Sequence, residues 1–539
     1  MHPLGVNPGV TGWREGGIIE ELKLENAAHN PQLAWEMWDF ILYDKCATEP
    51  NLTLMLDSTL YRVETSGRNI EAVWVRSDTT RNIYRIKAKI YVDSTGDSRL
   101  AMEAGAEVMS GREGSKAFGE SLADFDEIGT RQGSTLMISM RKHDKPMPFT
   151  PPPWAKKMTP ELMKFRGISG DGLYYGYWWV ELGGIYDAIR DNEMLRFELL
   201  SIVMGVWDYI KNSGKYSDVE NIALETIGMV PGRRDTYRVV GGQILTQQDI
   251  EGKWKPFDDA IAVGGWTLDD HPAKGFYASD RHPCRQTWKT NFYNIPYGTT
   301  YSKDFDNLMM AGRNISCSHV AFSSTRVMST CAAVGQAVGT AAICMEEGVT
   351  PAGLRADPKL VKKLQQRLLR NDQTIIGIKN EDPADLARAA KASASSSAFG
   401  TSPENVLTGV TLDSPKENKN RWLAEASSKP WIRLDWKSPQ KISQVRLTFE
   451  SGWTPLSQSG SNHLLSTMVR APQPKLVRDY NIVGILEDGS EKTLASIKGN
   501  YQKLRAHTFE PVRVKGIRVD VLATNGDKMA CIKEIRAEA

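Results

Sequence analysis

The sequence predicts an α/β unit interrupted by an α+β insert and followed by an all-β sandwich, and three observations carry that prediction. The order apolar strand, Gly-containing turn, helix occurs twice, over 86–105 and again over 307–342. Between them, residues 107–300 change character, with long loops, the Pro-rich KPMPFTPPPWAKK and the aromatic run GLYYGYWWVELGG. After 386, short alternating runs recur at regular intervals with turn residues between them, as sandwich strands do.

A chain of 539 residues exceeds one ordinary core and divides into two or three domains. Its 67 basic and 65 acidic residues leave a net charge of +2, which argues against nucleic acid or an anionic membrane as the main partner. No apolar run reaches the about 18 residues of a membrane span. The six cysteines, Cys46, Cys284, Cys317, Cys331, Cys344 and Cys531, contain no C-x-x-C pair, so no metal or redox dithiol is expected.

In chain order, Asn30 reads as an N-cap and Pro31 as the first residue of a helix running to about Ala47. Residues 52–78 alternate around the turn SGRN and predict a meander. An apolar strand over 86–92, a tight turn at 94–97 and a short helix ending near Gly105 follow. Leu195, Leu199, Ile202, Val206 and Ile210 fall at helical spacing in a long amphipathic helix that Gly214 ends.

The second strand ends on Gly312 and Arg313, and a Ser/Thr-rich loop leads to a helix capped by Ser329 or Thr330. Ala332, Ala333, Gly335, Ala337, Gly339, Ala341 and Ala342 leave that helix small. Its backbone can approach a planar ligand or a neighbouring helix, and the free N–H groups at its start favour negative charge. By composition the Ala/Ser stretch near 386–398 reads as a flexible linker.

Five motifs occur in one order: AKIYVDSTGDSRLAMEAGAEV, IGMVPGRRDTYRVVGGQILTQQDI, FDDAIAVGGWTLDDHP, YNIPYGTT and NLMMAGRNISCSHVAFSSTRVMSTCAAVGQAVGTAA. Together they resemble the FAD-dependent oxidoreductase family, a branch of the flavoproteins with two dinucleotide-binding domains, from the first residues to about Gly348. The resemblance implies a Rossmann-like FAD-binding domain in pieces at 1–106 and 301–350, with an inserted substrate or cap domain at 107–300 and a helical connector at 351–385. It implies that Asp93, Thr95, Gly96 and Asp97 line the FAD and that Gly312 and Arg313 lie near its ribityl or phosphate part. Arg326, Thr330, Cys331, Gly335 and Gln336 would face the isoalloxazine.

Members of that family open with a strand, G-x-G-x-x-G, a helix, a second strand and an acidic residue. No G-x-G-x-x-G occurs here, and Gly5, Gly9 and Gly12 have another spacing. The expectation is a truncated FAD-binding domain lacking at least roughly 30 residues, one βαβ unit. A signal peptide lost with that unit would make the protein periplasmic or secreted; otherwise it is cytoplasmic.

Position in these motifs nominates His271, His319, Arg234 and Arg326 as catalytic. A neutral His takes a hydroxyl proton while hydride leaves the carbon for flavin N5; either His can equally hold a structural hydrogen bond. Arg233, Arg234 and Arg326 would bind a carboxylate or enolate-like charge, or the Arg233–Arg234 pair would bridge to Asp235. Tyr174, Tyr175, Tyr177, Trp178 and Trp179 would stack on sugar faces or form core.

Residues 386–539 resemble the coagulation factor 5/8 type C (discoidin-like) galactose-binding jelly-roll sandwich, on AKASASSSA, NVLTG, NRWLAEASSKPWIRLDWKSPQKISQVRLTFE and KMACIKEIRAE. That resemblance implies that the Ala/Ser stretch is its first strand, and that loops at one end contact a glycan or the module packs on its enzyme. The expected function is an FAD-dependent oxidoreductase acting on a carbohydrate or glycan-derived small molecule. Two alternatives stand beside it: a glycan-binding protein with a non-catalytic flavin fold, and a redox-neutral flavin-dependent polysaccharide lyase.

Overall fold

A computed structural model describes residues 14–123, 127–168, 176–252, 257–287, 292–412, 418–452, 454, 456–458 and 466–539. Gly5, Gly9, Gly12, Tyr174 and Tyr175 lie outside the described residues. Two helices come first, α1 (Ile18–His29) and α2 (Trp35–Ala47). Helix α2 starts at Trp35 and not beside Asn30, because the Asn30 side chain accepts from Ala34 N at 2.9 Å and donates to Ala34 O at 2.8 Å. Asn30 therefore closes the turn between the helices, with Leu33 at φ 58.

Strands β1 (Ser58–Ser66), β2 (Asn69–Ser77) and β3 (Ile83–Ile86) form the antiparallel meander. The single strand expected over 86–92 is broken: β3 ends at Ile86 and β4 spans Tyr91–Asp93. Lys87 and Lys89 are exposed where the chain leaves the β2–β3 pairing, and pairing resumes at Tyr91, where β4 joins β15. Helix α3 (Arg99–Ala104) follows the turn and ends on Gly105.

The insert contains β5 (Val108–Ser110), β6 (Ser134–Thr135), β7 (Ile138–Lys142), β8 (Glu181–Leu182), helix α4 (Asn192–Asn212), β9 (Ile222–Ile227) and β10 (Tyr237–Val239). Its strands pair β5 with β10, β6 with β8 and β7 with β9. Helix α4 turns Leu195, Leu199, Ile202, Val206 and Ile210 into a core shared with Ile138, Leu182 and Phe276. Tyr177 belongs to that core and Trp179 packs against it, so neither stands free for a sugar face.

The chain then returns through β11 (Ala260–Gly264), β12 (Leu268–Asp270), β13 (Arg285–Thr287), β14 (Tyr293–Pro296) and β15 (Leu308–Met310). Val239, Ala260, Ile261, Tyr293 and Ile295 pack in the α/β core with Met309 and Val334, so the insert's own core is narrower than 107–300. Strand β15 runs parallel to β4, pairing Leu308 with Tyr91 and Met310 with Asp93. Helices α5 (His319–Thr325) and α6 (Met328–Cys344) meet at 92°. Helix α6 starts at Met328 after Val327 with no side-chain cap, so Ser329 and Thr330 lie buried inside its first turn and do not cap it. Helix α7 (Pro358–Arg370) leads out of the unit.

The C-terminal unit is an all-β sandwich of β16 (Lys391–Ala394), β17 (Trp422–Glu425), β18 (Trp431–Phe449), β19 (Val477–Ile485), β20 (Glu491–Ile497), β21 (Leu504–Thr524) and β22 (Met529–Glu538). Its order is β17-β22-β18-β21-β19-β20, with β16 on β18. The Ala/Ser stretch is thus strand β16 and not a linker: Ala392 is paired opposite Leu434 and buried. Leu24 and Ala27 of α1 enter this core beside Ile432, Leu447 and Val519. Among the described residues no single helix is long and apolar enough to cross a membrane.

Candidate functional site

The C-terminal ends of β4 and β15 lie side by side, where open α/β sheets place their ligands. Asp93 is fully buried. Its Oδ1 accepts from Thr95 N at 3.0 Å and Thr95 Oγ1 at 2.7 Å, and its Oδ2 accepts from Ala101 N at 3.0 Å. The buried carboxylate therefore shapes the turn from within. Gly96 follows at φ +72, and a Cβ there would stand 2.5 Å from Arg313 Nη1. Asp97 holds two guanidinium groups, Arg313 Nη2 at 2.7 Å and Arg233 Nη2 at 2.9 Å, and accepts from Thr236 Oγ1 at 2.9 Å. Gly312, at φ +135, leaves the opposing backbone bare.

Behind this turn runs a buried ionic chain, Arg234–Glu181–His271–Asp269–Arg326. Arg234 Nη2 lies 2.7 Å from Glu181 Oε1, and Glu181 Oε2 lies 2.9 Å from His271 Nδ1. His271 Nε2 is 3.3 Å from Asp269 Oδ2, and Arg326 Nη2 donates to Asp269 O at 2.9 Å. Burial opposes a charge on His271, yet Glu181 and Asp269 outweigh it and raise its pKa above 6.5. Burial likewise opposes the Asp269 carboxylate, but His271 and Arg326 hold it well below the usual carboxylate range. Both ring nitrogens face carboxylates, which favours the protonated ring over the neutral base that its sequence position suggests.

His319 forms a second centre at the start of α5. Its Nε2 is 3.0 Å from Asp235 Oδ2, and its backbone N–H donates to Glu113 Oε2 at 2.8 Å. Asp235 therefore pairs with His319 and with neither arginine of the Arg233–Arg234 pair. Burial opposes its ionisation, but His319 holds Asp235 at about 2. Arg112 links the two centres, since its Nη2 donates to Asp270 Oδ1 at 2.8 Å and to His271 O at 2.6 Å. His319, Asp270, Arg112 and Ser323 line a cavity of about 20 Å³, room for one water.

Residues 10–368 match the family model described as FAD dependent oxidoreductase. The chain belongs to that family. Residues 385–450 of this family member match a domain of unknown function, DUF7402. No curated protein matches the chain. Its similar solved structures include the family 32 carbohydrate-binding module of C. perfringens NanJ in complex with galactose, at 16% identity over 28% of this chain and 96% of that one, TM-score 0.21. Chitosan-binding module 1 of a Paenibacillus sp. IK-5 chitosanase/glucanase is similar at 19% identity over 29% of this chain and 98% of that one, TM-score 0.22.

The family implies FAD binding, and the ring end of FAD fits the residues present. Arg313 Nε, Arg326 Nε, Trp266 Nε1, Thr267 Oγ1 and Asp269 Oδ1 are buried without a partner. A flat ligand with donors and acceptors along its edge satisfies such a surplus. Gly335 faces open space on α6, and Cys331 is half-buried with its Sγ 3.5 Å from Thr325 O. Thr330 and Gln336 depart from the expectation. Thr330 Oγ1 donates to Glu15 Oε1 at 3.1 Å and Gln336 Oε1 accepts from Ile18 N at 2.7 Å, so the chain's own N-terminal segment engages both. A cavity of about 720 Å³ lies elsewhere, between α7, 374–381 and 409–412, and not beside Arg326.

Sequence reasoning missed Glu181, Asp269, Arg112 and Glu113. Glu181 carried a signal, one carboxylate inside the apolar run WWVEL. Asp269 carried another, the acidic pair ahead of His271. Arg112 and Glu113 carried none, because only the fold brings them to the two histidines.

Proposed function

We propose that this protein oxidises or reduces a carbohydrate or glycan-derived small molecule, with hydride passing between a substrate carbon and flavin N5. The observation that supports it is the strand-end turn at Gly96 and Gly312, with Arg313 laid against Gly96, together with buried polar atoms left without a partner at Arg313, Arg326, Trp266, Thr267 and Asp269. FAD, when bound, supplies the hydride chemistry; Gly96, Gly312, Arg313 and Arg326 would hold it.

The protein's own groups handle protons and charge. His271, engaged at both ring nitrogens by Glu181 and Asp269, is fixed in orientation and acts on an oxygen that gains charge through its electrostatic field, not by giving up a proton. His319, oriented by Asp235 beside a water-sized cavity, is the candidate to accept a hydroxyl proton. Arg233, Arg234 and Arg326 are each matched by a carboxylate, an arrangement that favours an uncharged hydroxyl compound over a carboxylate substrate.

The sandwich supports the sugar assignment through a polar cavity of about 200 Å³ lined by Asn418, Arg421, Glu450, Lys475 and Asp527 with Leu423 and Met529. Glycan contact is proposed there. The decisive experiment is an anaerobic titration of the FAD-loaded protein with neutral sugars. Bleaching of the flavin band supports the oxidoreductase; sugar turnover without bleaching supports redox-neutral elimination. A protein that stays colourless with added FAD but retains glycan binding supports the non-catalytic alternative.

A further inference from the structure

The segment ahead of α1 runs between the cofactor helix and the sandwich. On one side Glu15 takes the hydroxyl of buried Thr330, and Ile18 N donates to Gln336, whose Nε2 donates to Asn371 O at 3.2 Å. The approach is too close for any side chain. A Cβ on Gly17, at φ +77, would stand 2.1 Å from Gln336 Oε1, and one on Gly16 would stand 2.0 Å from Asp372 O.

On the other side the sandwich grips the same segment. Arg14 pairs with Glu20 at 2.7 Å and donates to Ser451 Oγ at 3.0 Å, and Ser451 Oγ donates to Glu20 Oε1 at 2.6 Å. Asn26 Nδ2 donates to Gln458 Oε1 at 2.9 Å, and Lys503 Nζ lies 2.8 Å from Asp372 Oδ1. Arg14, Glu20, Asp372 and Ser451 are all buried. A buried pair of this kind holds one geometry, because separating the partners leaves an uncompensated charge out of water.

We propose that residues 14–18 are a strap through which the sandwich positions the first turns of α6, making Arg14, Glu15 and Gly17 positioning residues of the flavin site. The strap fixes Thr330 and Gln336, six residues apart on α6, and so sets how α6 is rolled about its axis. That roll decides which way the N–H groups at its start and the open face at Gly335 point. The sandwich then contributes to the redox site without touching it. This inference rests on the flavin reading above.

The test compares the whole wild-type chain with Ser451→Ala, on the sandwich side, and Gly17→Ala, on the strap. Amide hydrogen exchange is read without FAD; flavin affinity and the absorption band of bound flavin are read with it. In both variants exchange at 14–18 and 328–336 rises about fivefold or more, as loss of a buried hydrogen bond allows. Strands β19 and β21 keep their protection, FAD binds several-fold more weakly, and the flavin band shifts. Faster exchange confined to 14–18, with α6 and the flavin band unchanged, overturns the strap. Wild-type protein that takes up no FAD overturns the flavin reading instead, and the exchange pattern still decides whether the strap positions α6.

Discussion

His271 sits between Glu181 and Asp269 with a pKa raised above its ordinary 6.5. A raised value means that the folded state binds the proton more tightly than the unfolded state. The resulting stabilisation is fully present below about 6.5 and is lost as pH rises through the folded value. The urea midpoint of the wild type therefore falls relative to that of His271→Gln as pH is raised from 6.5, and parallel curves would remove the imidazolium from the account. Asp269→Asn withdraws one of the two carboxylates and lowers the His271 pKa, which an NMR titration of the ring protons reads directly. Arg234→Met leaves Glu181 buried without its guanidinium and costs about 3–5 kcal/mol, measured by urea unfolding.

Helices α4 and α6 are built for opposite purposes. Helix α4 is a packing element: Leu199 is fully buried in the insert core, and Leu199→Ala costs about 2–5 kcal/mol in urea unfolding. In α6, small residues serve two faces, Ala333, Ala337 and Ala341 in the core and Gly335 in the open. A methyl at 335 meets nothing within 4 Å, so Gly335→Ala stabilises the protein without FAD by up to about 1 kcal/mol through helix propensity. If the ring passes over this face, the same substitution weakens FAD binding. A melting temperature that rises with unchanged FAD affinity would move the ring away from Gly335.

The whole chain is expected to unfold as one body, because its two units share structure at α1. Leu24 and Ala27 lie in the sandwich core while the strap ahead of them lies on α6. Arg370 Nε also donates to Glu538 Oε1 at 2.6 Å across the same junction. Removing 385–539 strips the cover from α1, and the shortened protein is expected to aggregate or lose its cooperative melt. Calorimetry of the full chain should give one transition; two well-separated transitions would show that the sandwich is an independent appendage.

Local pattern made α4, the hairpin of β1 and β2, the strand-end turns and the sandwich strands legible, because helical and strand periodicities and Gly turns are properties of neighbouring residues. The family motifs likewise placed His271, His319, Arg234 and Arg326 in one region. Their chemistry was not legible. Whether His271 is a base or an imidazolium depends on Glu181, 90 residues away, and on Asp269. The broken strand at Lys87 and the later start of α2 depended on packing and on one Asn side chain. Thr330 and Gln336 were read as facing a cofactor because their own helix invited it. They face Glu15 and Ile18 because the chain folds its first described residues back onto α6 and fastens them with the sandwich. Short-range pattern determines elements; charge state and the direction of a buried side chain follow from which distant groups share its low-dielectric surroundings.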